Sequence, residues 1–430
     1  MNQVKTYIGI SKLLINTRVQ IGVFIYITNL LFKGEVKFSK YIRVLLRLLF
    51  FLSKMKHNKY VKFGKNIKMN LYIPGYPSKA FFYACRKVLE FDKKMPCVSA
   101  LISVTSACKY KCSHCYQKLD NGKDIEIDLL IATVNKLQDM GVAFFNIEGG
   151  EPFLVYDKLY KLCKSIDHRS EIIINTTGDE VTLERLDELK ALGNVTALMF
   201  SLHSDTPAGL NKFTGNENAW ENMTRAIEFA HKAGIAVTFN SCLQHDAFHD
   251  GTLEKIMDIS KNFNASLIQL IKPKPAGAWL KDGAKSFNLE DVETLKNKVH
   301  SYNTKKKYKE YPFIYSQHIE EETEMFGCTA GGTDRFYINA KGDVQPCEFL
   351  NISFGNIKTD GFEKSYELMR KVFEVPGDCW LCEKYSDAVL KVYEESKSSS
   401  LPLNKELSEQ IYKGWNRGNT PDFYEKVVKK

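Results

Sequence analysis

Cys108, Cys112 and Cys115 fall within the stretch Ser106 to Tyr116 at a C-x3-C-x2-C spacing. They follow the apolar run Leu101–Thr105 and precede a helical pattern, so they read as one loop between a strand and a helix. Three thiolates from one short loop can hold three corners of an iron–sulfur cube and leave its fourth iron without a protein ligand. An open coordination position of that kind is where a metal site does chemistry. The spacing alone equally admits a structural zinc site completed from elsewhere, or three buried thiols. A second group, Cys328, Cys347, Cys379 and Cys382, ends in C-x2-C, which is also metal spacing, with a zinc ribbon as its alternative reading. Between the groups, Phe144–Ile147 runs into Glu148-Gly149-Gly150-Glu151-Pro152. The two glycines allow a backbone to come close to a ligand, Glu151 offers a carboxylate, and Pro152 stops the strand.

The cysteine loop and the later G-G-E, in that order, resemble the radical SAM superfamily, whose loop reads C-x3-C-x-Φ-C with Φ usually aromatic; here Φ is His114. The resemblance implies a [4Fe-4S] cluster on Cys108, Cys112 and Cys115. S-adenosylmethionine would chelate its open iron through the amino and carboxylate groups, and reductive cleavage would give a 5′-deoxyadenosyl radical that takes hydrogen from a substrate C–H bond. Site residues carried over are His114 beside the cofactor, and Gly149, Gly150 and Glu151 at the methionyl amino group. Asn175, in Asn175-Thr176-Thr177-Gly178, would lie near the ribose. In Phe200-Ser201-Leu202-His203-Ser204 only Ser201 carries over, because His203 and Ser204 replace the usual Asp-Gly. Arg225 stands where the family often has an arginine for the carboxylate, with a solvent-exposed arginine as the alternative. Gly234, Ile235 and Asn240 resemble adenine-side residues. Cys328-x13-Gly342-x4-Cys347 resembles the opening of a SPASM or twitch extension. With no cysteine after Cys382, the resemblance implies one auxiliary [4Fe-4S] cluster on Cys328, Cys347, Cys379 and Cys382.

These residues need a scaffold. Apolar strand patterns at Leu101–Thr105, Ala143–Glu148, Glu171–Asn175, Ala197–Ser201, Ala236–Ser241 and Ser266–Ile271 alternate with amphipathic helical patterns, the signature of βαβ units. The expected class is α/β: a partial (β/α)6 TIM-like barrel, a small C-terminal β-hairpin/helix iron–sulfur domain and a basic helical N-terminal extension. The expected divisions are an extension at 1–56, an adaptor at 57–97, the barrel at 98–305, the cluster domain at 318–395 and a tail at 396–430. Ligands of such barrels sit at the carboxyl ends of the strands. Cys242, His245 and His249 follow the fifth strand at that mouth; Cys242 reads as a hydrogen-atom donor or a small buried side chain.

The net charge of +9 over 430 residues is concentrated, since residues 1–60 hold eleven Lys or Arg against the single acid Glu35. The catalytic body is therefore close to neutral, which argues against a nucleic-acid channel. Val19–Phe32 is apolar but shorter than the ~20 residues that cross a bilayer. A helix from Ser39 to about Lys54 would gather Lys40, Arg43, Arg47 and Lys54 in one stripe beside a wide apolar face, the pattern of a helix lying in a membrane interface. The competing reading packs that helix on the body with its stripe in solvent. The expected location is cytoplasmic, on the inner face of the membrane, with reduced cysteines. The head lacks the strand-then-helix order of a leader-gripping winged helix. An electron donor such as flavodoxin or ferredoxin is implied. Peptide or protein modification is the leading function, modification of a lipid or other amphiphile the second, and a non-catalytic redox relay the third. A relay needs no open iron, and cobalamin-dependent methyl transfer lacks its D-x-H-x-x-G segment.

Overall fold

A computed structural model describes residues 3–54, 58–87, 97–282, 284 and 287–428. Its strands are β1 Thr6–Tyr7, β2 Tyr60–Phe63, β3 Asn66–Lys68, β4 Ser99–Ser103, β5 Phe144–Glu148, β6 Glu171–Thr176, β7 Val195–Ser201, β8 Ala236–Cys242, β9 Leu267–Ile271, β10 Phe313–Ser316, β11 Tyr337–Ile338 and β12 Val344–Gln345. Strands β4 to β10 run parallel in sequence order. Along each strand alternate residues face opposite ways. Ile172 and Ile174 join the helix-covered layer, while Ile173 points inward with Ala197, Met199, Leu267 and Phe313. Both faces are covered, which is why the strands read as nearly unbroken apolar runs.

The barrel has one strand more than the six expected. β10 lies past position 305, and four residues, two of them Tyr and Ser, were too little to register as a buried strand. At the other edge β11 pairs in parallel with β4, Tyr337 opposite Leu101, and β12 returns antiparallel, so the cluster hairpin continues the barrel's own sheet. Val61, Phe63, Leu71 and Tyr72 plug the amino end of the barrel. There Lys68 and Glu171 form a buried ion pair, and the Gly75 N–H donates to Glu171 Oε2 at 2.7 Å, so the buried carboxylate keeps partners. In the adaptor, Ser78 reads as the cap of a helix from about Ala80 to Phe91; the helix is described at Lys79–Lys87, and the rest of that stretch lies outside the described residues.

Two expectations for the ends of the chain need correction. The apolar N-terminal segment belongs to a 24-residue helix, α1 (Gly9–Phe32), which by length and composition is long and apolar enough to cross a bilayer. Ser11, Lys12, Asn16 and Arg18 interrupt its hydropathy but not its helicity. It packs against α2 (Phe38–Lys54). Arg47, expected in a solvated basic stripe, is buried, whereas Ile42, Leu46 and Leu49 of α2 and Ile10, Leu13, Leu14, Ile21, Phe24, Ile25 and Phe32 of α1 are exposed. The outward face of the hairpin is thus apolar. At the other end, the expected tail packs into the main core through Leu401, Leu403, Ile411 and Tyr412. Leu401 N–H donates to Leu119 O at 2.7 Å, and Asn121 N–H to Ser400 Oγ at 2.9 Å, so the Ser-rich stretch clamps the segment just after Cys115.

Candidate active site at the carboxyl end of the barrel

The cysteine loop leaves β4 and is fixed at several points before it turns. Asp124 accepts from Thr105 Oγ1 at 2.6 Å and from the Ser106 amide and hydroxyl, each at 2.9 Å. Lys111 and Ser113 amides donate to Thr214 O and Phe213 O at 2.8 and 3.0 Å, and Ala278 N–H donates to Cys115 O at 2.9 Å. The glycine pair docks onto the same loop. Gly150 N–H donates to Thr105 O and Glu151 N–H to Ala107 O, both at 2.8 Å. A methyl on Gly150 would lie 2.1 Å from Ala107 O, and one on Gly149, whose φ is +145°, 2.4 Å from Thr105 O. The close approach these glycines permit is therefore first of all to the cluster loop.

A cavity of about 470 Å³ opens here. Cys108, Cys112, Cys115, His114, Gly149, Gly150, Asn175 and Ser201 all line it, so most of the residues singled out in the sequence converge. Burial pushes the thiols up, Cys108 to about 11 and Cys112 to about 12, so they are protonated until a metal displaces the protons. His114 packs 4.4 Å from the His203 ring and 4.8 Å from Phe213. Burial lowers its pKa to about 4, so it serves as a neutral aromatic ring where the family pattern has an aromatic residue.

Two expected residues stand off the cavity. Glu151 is buried behind its wall, and its carboxylate accepts from Thr176 Oγ1 at 2.8 Å, Thr177 N–H at 2.7 Å, Thr177 Oγ1 at 2.6 Å and Phe153 N–H at 3.2 Å. It ties the end of β5 to the turn after β6. Arg225 is exposed on the helix Ala219–Ala233 and donates to Asn222 Oδ1 at 2.8 Å; Asn222 in turn donates to Tyr110 OH of the cluster loop at 3.1 Å. Of the adenine-side trio, Asn240 lines the cavity, while Gly234 caps that helix at φ +69° and Ile235 sits in the outer core. Cys242 lines the cavity as well.

Sequence reading missed Glu148. It lines the cavity and accepts from Tyr116 OH at 3.1 Å, Asn175 Nδ2 at 3.0 Å and Asn146 Nδ2 at 3.3 Å. Burial, and next the carboxylate of Glu348 beside Cys347, push it up to about 8. Its signal was parity, since Phe144, Asn146 and Glu148 alternate inward along β5. The carbonyl oxygens of Asn146, Asn175 and Asn240, as assigned, are buried without a hydrogen-bond partner among the described residues. A cavity walled by unused acceptors suits a ligand rich in donors, as the amino and hydroxyl groups of S-adenosylmethionine are.

On the far side, burial is the main cause that raises the Cys347 and Cys382 thiols; the Cys328 thiol lies near enough to raise both, and the Cys382 thiol also raises Cys347. Cys379 Sγ accepts from Lys384 Nζ at 3.6 Å, and Arg417 O receives its amide at 3.2 Å. Lys272 and Lys274 each reach Glu383, the residue after Cys382, at 2.7 Å.

Residues 102–261 match the model of the radical SAM superfamily, and residues 328–383 match SPASM, an iron–sulfur cluster-binding domain. The AdoMet-dependent heme synthase of Nitratidesulfovibrio vulgaris is 24% identical over 68% of this chain and 86% of its own length. The sporulation killing factor maturation protein SkfB of Bacillus subtilis is 22% identical over 63% and 65%. Streptococcus suis SuiB bound to precursor peptide SuiA shares the fold at a TM-score of 0.56 and 14% identity, covering 80% of this chain and 85% of that one. So does anSMEcpe with bound AdoMet and a peptide, at a TM-score of 0.51 and 18% identity, covering 78% and 95%.

Proposed function

Because the chain belongs to the radical SAM superfamily and carries a SPASM-type iron–sulfur domain, we propose that it removes a hydrogen atom from a C–H bond of a peptide or protein substrate. The observation that carries this reading is the reach of the cavity, from the cluster loop to Glu348 and Phe349, directly after Cys347. A substrate held there lies between the two proposed cluster sites. The cluster on Cys108, Cys112 and Cys115, with S-adenosylmethionine, supplies one-electron cleavage of the sulfonium and so the hydrogen-abstracting radical. The chain's own part is positioning. The anchored loop fixes the three thiols, the asparagine carbonyls orient donor groups, and the aromatic plug at the amino end of the barrel keeps water from entering behind. Cys328, Cys347, Cys379 and Cys382 hold the auxiliary cluster, a flavodoxin or ferredoxin delivers electrons, and Ser201 lies on the nucleoside side. The relatives named as SkfB and as PqqA peptide cyclase support a peptide.

The heme synthases among the relatives are named for a small molecule, and the exposed apolar face of the α1–α2 hairpin favours a second reading, an amphiphile modified at the membrane surface. Anaerobically reconstituted protein is expected to hold about eight irons and to release 5′-deoxyadenosine with S-adenosylmethionine and dithionite. Cellular peptides should then accelerate that release several-fold and show mass changes dependent on S-adenosylmethionine. Acceleration by extracted lipid alone transfers the assignment to the second reading. About four irons with no 5′-deoxyadenosine removes both.

Whatever the substrate, the hairpin places the enzyme on the inner membrane surface in this proposal. Its apolar stripe enters the interface and its surplus of Lys and Arg meets anionic headgroups. Full-length protein should float with phosphatidylglycerol vesicles. Replacing Ile21, Phe24 and Ile25 by Glu should weaken that binding by at least about tenfold, since each side chain contributes ~1.5–3 kcal/mol when buried. Unchanged flotation would remove the hairpin from the interface.

A further inference from the structure

His245 and His249 lie outside the cavity lining, in the turn that follows β8. Both rings aim at one carboxylate. His245 Nδ1 lies 2.7 Å and His249 Nε2 2.7 Å from Oδ1 of Asp291, and the three ligating atoms all lie within 4.8 Å of one another. Asp291 comes from the first turn of the helix Leu289–Thr304, where its Oδ2 accepts the Asn288 N–H at 2.9 Å in a capping box. That bond fixes the carboxylate without using up Oδ1. The Asp291 side chain is fully buried, while 44% of His245 and 33% of His249 remain exposed. The surroundings are acidic, with Asp246 and Glu290 also acting on His245. The nearby Lys298 is engaged by Phe248 O at 2.7 Å and by Glu254 at 2.8 Å.

We propose that His245, His249 and Asp291 form a binding site for a divalent transition-metal ion, Zn²⁺ by ligand type, separate from both sets of cysteines. Two imidazoles and one carboxylate are a common three-ligand set, and the half-exposed rings leave the fourth position to water. Ligand atoms around a tetrahedral zinc at ~2.0–2.1 Å stand roughly 3.3 Å apart. The observed nitrogen–oxygen spacing therefore has to open by about half an ångström, which small ring rotations supply. The ion takes the place of the two imidazole protons that now point at Asp291. It would tie the turn after β8, the strand that ends at the cavity-lining Cys242, to the start of the helix Leu289–Thr304.

The test uses the full chain with its clusters assembled anaerobically, exposed to one equivalent of Zn²⁺ and desalted, with zinc and iron counted separately. Wild type is expected to keep one zinc per chain above its iron. His245→Ala/His249→Ala should keep the same iron and hold zinc at least about 100-fold more weakly, and Asp291→Asn, which keeps a capping side chain, should also lose affinity. Zinc-edge X-ray absorption should show nitrogen and oxygen neighbours at ~2.0 Å and no sulfur at ~2.3 Å. A wild type that retains no zinc, a double variant that retains as much, or a sulfur shell would each overturn the site.

Discussion

Gly150→Ala is expected to lose the first cluster while keeping the second. The added methyl would stand 2.1 Å from Ala107 O and 2.6 Å from Ala107 C, both backbone atoms of the residue before Cys108. Neither can swing away as a side-chain end would. Relief requires the loop to move off, which breaks the two 2.8 Å hydrogen bonds that dock it. Overpacking of this kind costs on the order of 3 kcal/mol. Displacement also spreads the three thiols beyond what one cluster can bridge. Iron per chain should fall from about eight to about four, and 5′-deoxyadenosine release should drop to background. Gly234→Ala is the control. Its φ of +69° strains any side chain, but among the described residues nothing lies within 4 Å of the added methyl. It should cost only about 1 kcal/mol and leave iron unchanged. Full iron in Gly150→Ala would mean that the docking contact does not set the loop.

Glu151→Gln is expected to destabilise the cluster-free chain by about 3 kcal/mol, because one of two oxygens that can accept in either protonation state becomes an amide nitrogen that cannot, against groups that are all donors. Two hydroxyls and two backbone amides now share that carboxylate. The substitution should also change the pH dependence of unfolding. Burial raises the Glu151 carboxyl from 4.5 to about 7 against the lowering effect of those hydrogen bonds. The folded chain therefore binds more protons than the unfolded chain between those values. That group's contribution is full below pH 4.5 and is lost as pH rises toward 7. In Glu151→Gln this part of the decline disappears, so the variant's loss relative to wild type shrinks by pH 8. Chemical denaturation at pH 5 and pH 8 reads the difference. An equal loss at both pH values would place the carboxyl's ionisation outside this window.

Much of the barrel could be read ahead of the structure, because strands buried on both faces leave unbroken apolar runs and Gly149 and Gly150 mark a close approach. β4 to β9 fall within two residues or so of where those runs place them. What escaped the reading depends on contacts between distant segments. β11 and β12 pair as the expected small hairpin, but the pairing of β11 with Leu101 and Ile102, which joins that hairpin to the barrel sheet, links segments far apart in the chain. Glu148 was overlooked because the eye follows the second glutamate of E-G-G-E, while inward parity selects the first. Glu151 looked like a ligand group because a free carboxylate beside a glycine turn does; its engagement with Thr176 and Thr177 is visible only once β6 lies beside β5. The apolar outer face of α1 was hidden for another reason. Helical periodicity cannot tell which of two apolar faces a partner helix will cover.

The shared sheet also sets an order of events during synthesis. β4 leaves the ribosome early, yet its free edge waits for β11, and the loop it carries waits for Ser400 and Leu401 to close over Leu119 and Asn121. At roughly 5–20 residues per second, the roughly 235 residues between β4 and β11 take on the order of 10–50 s to make. Through that interval Cys108, Cys112 and Cys115 sit on an unsealed edge, open to iron delivery and to oxidants alike. The edge of β4 and the cysteine loop it carries are therefore sealed only after the chain has been made as far as Leu401.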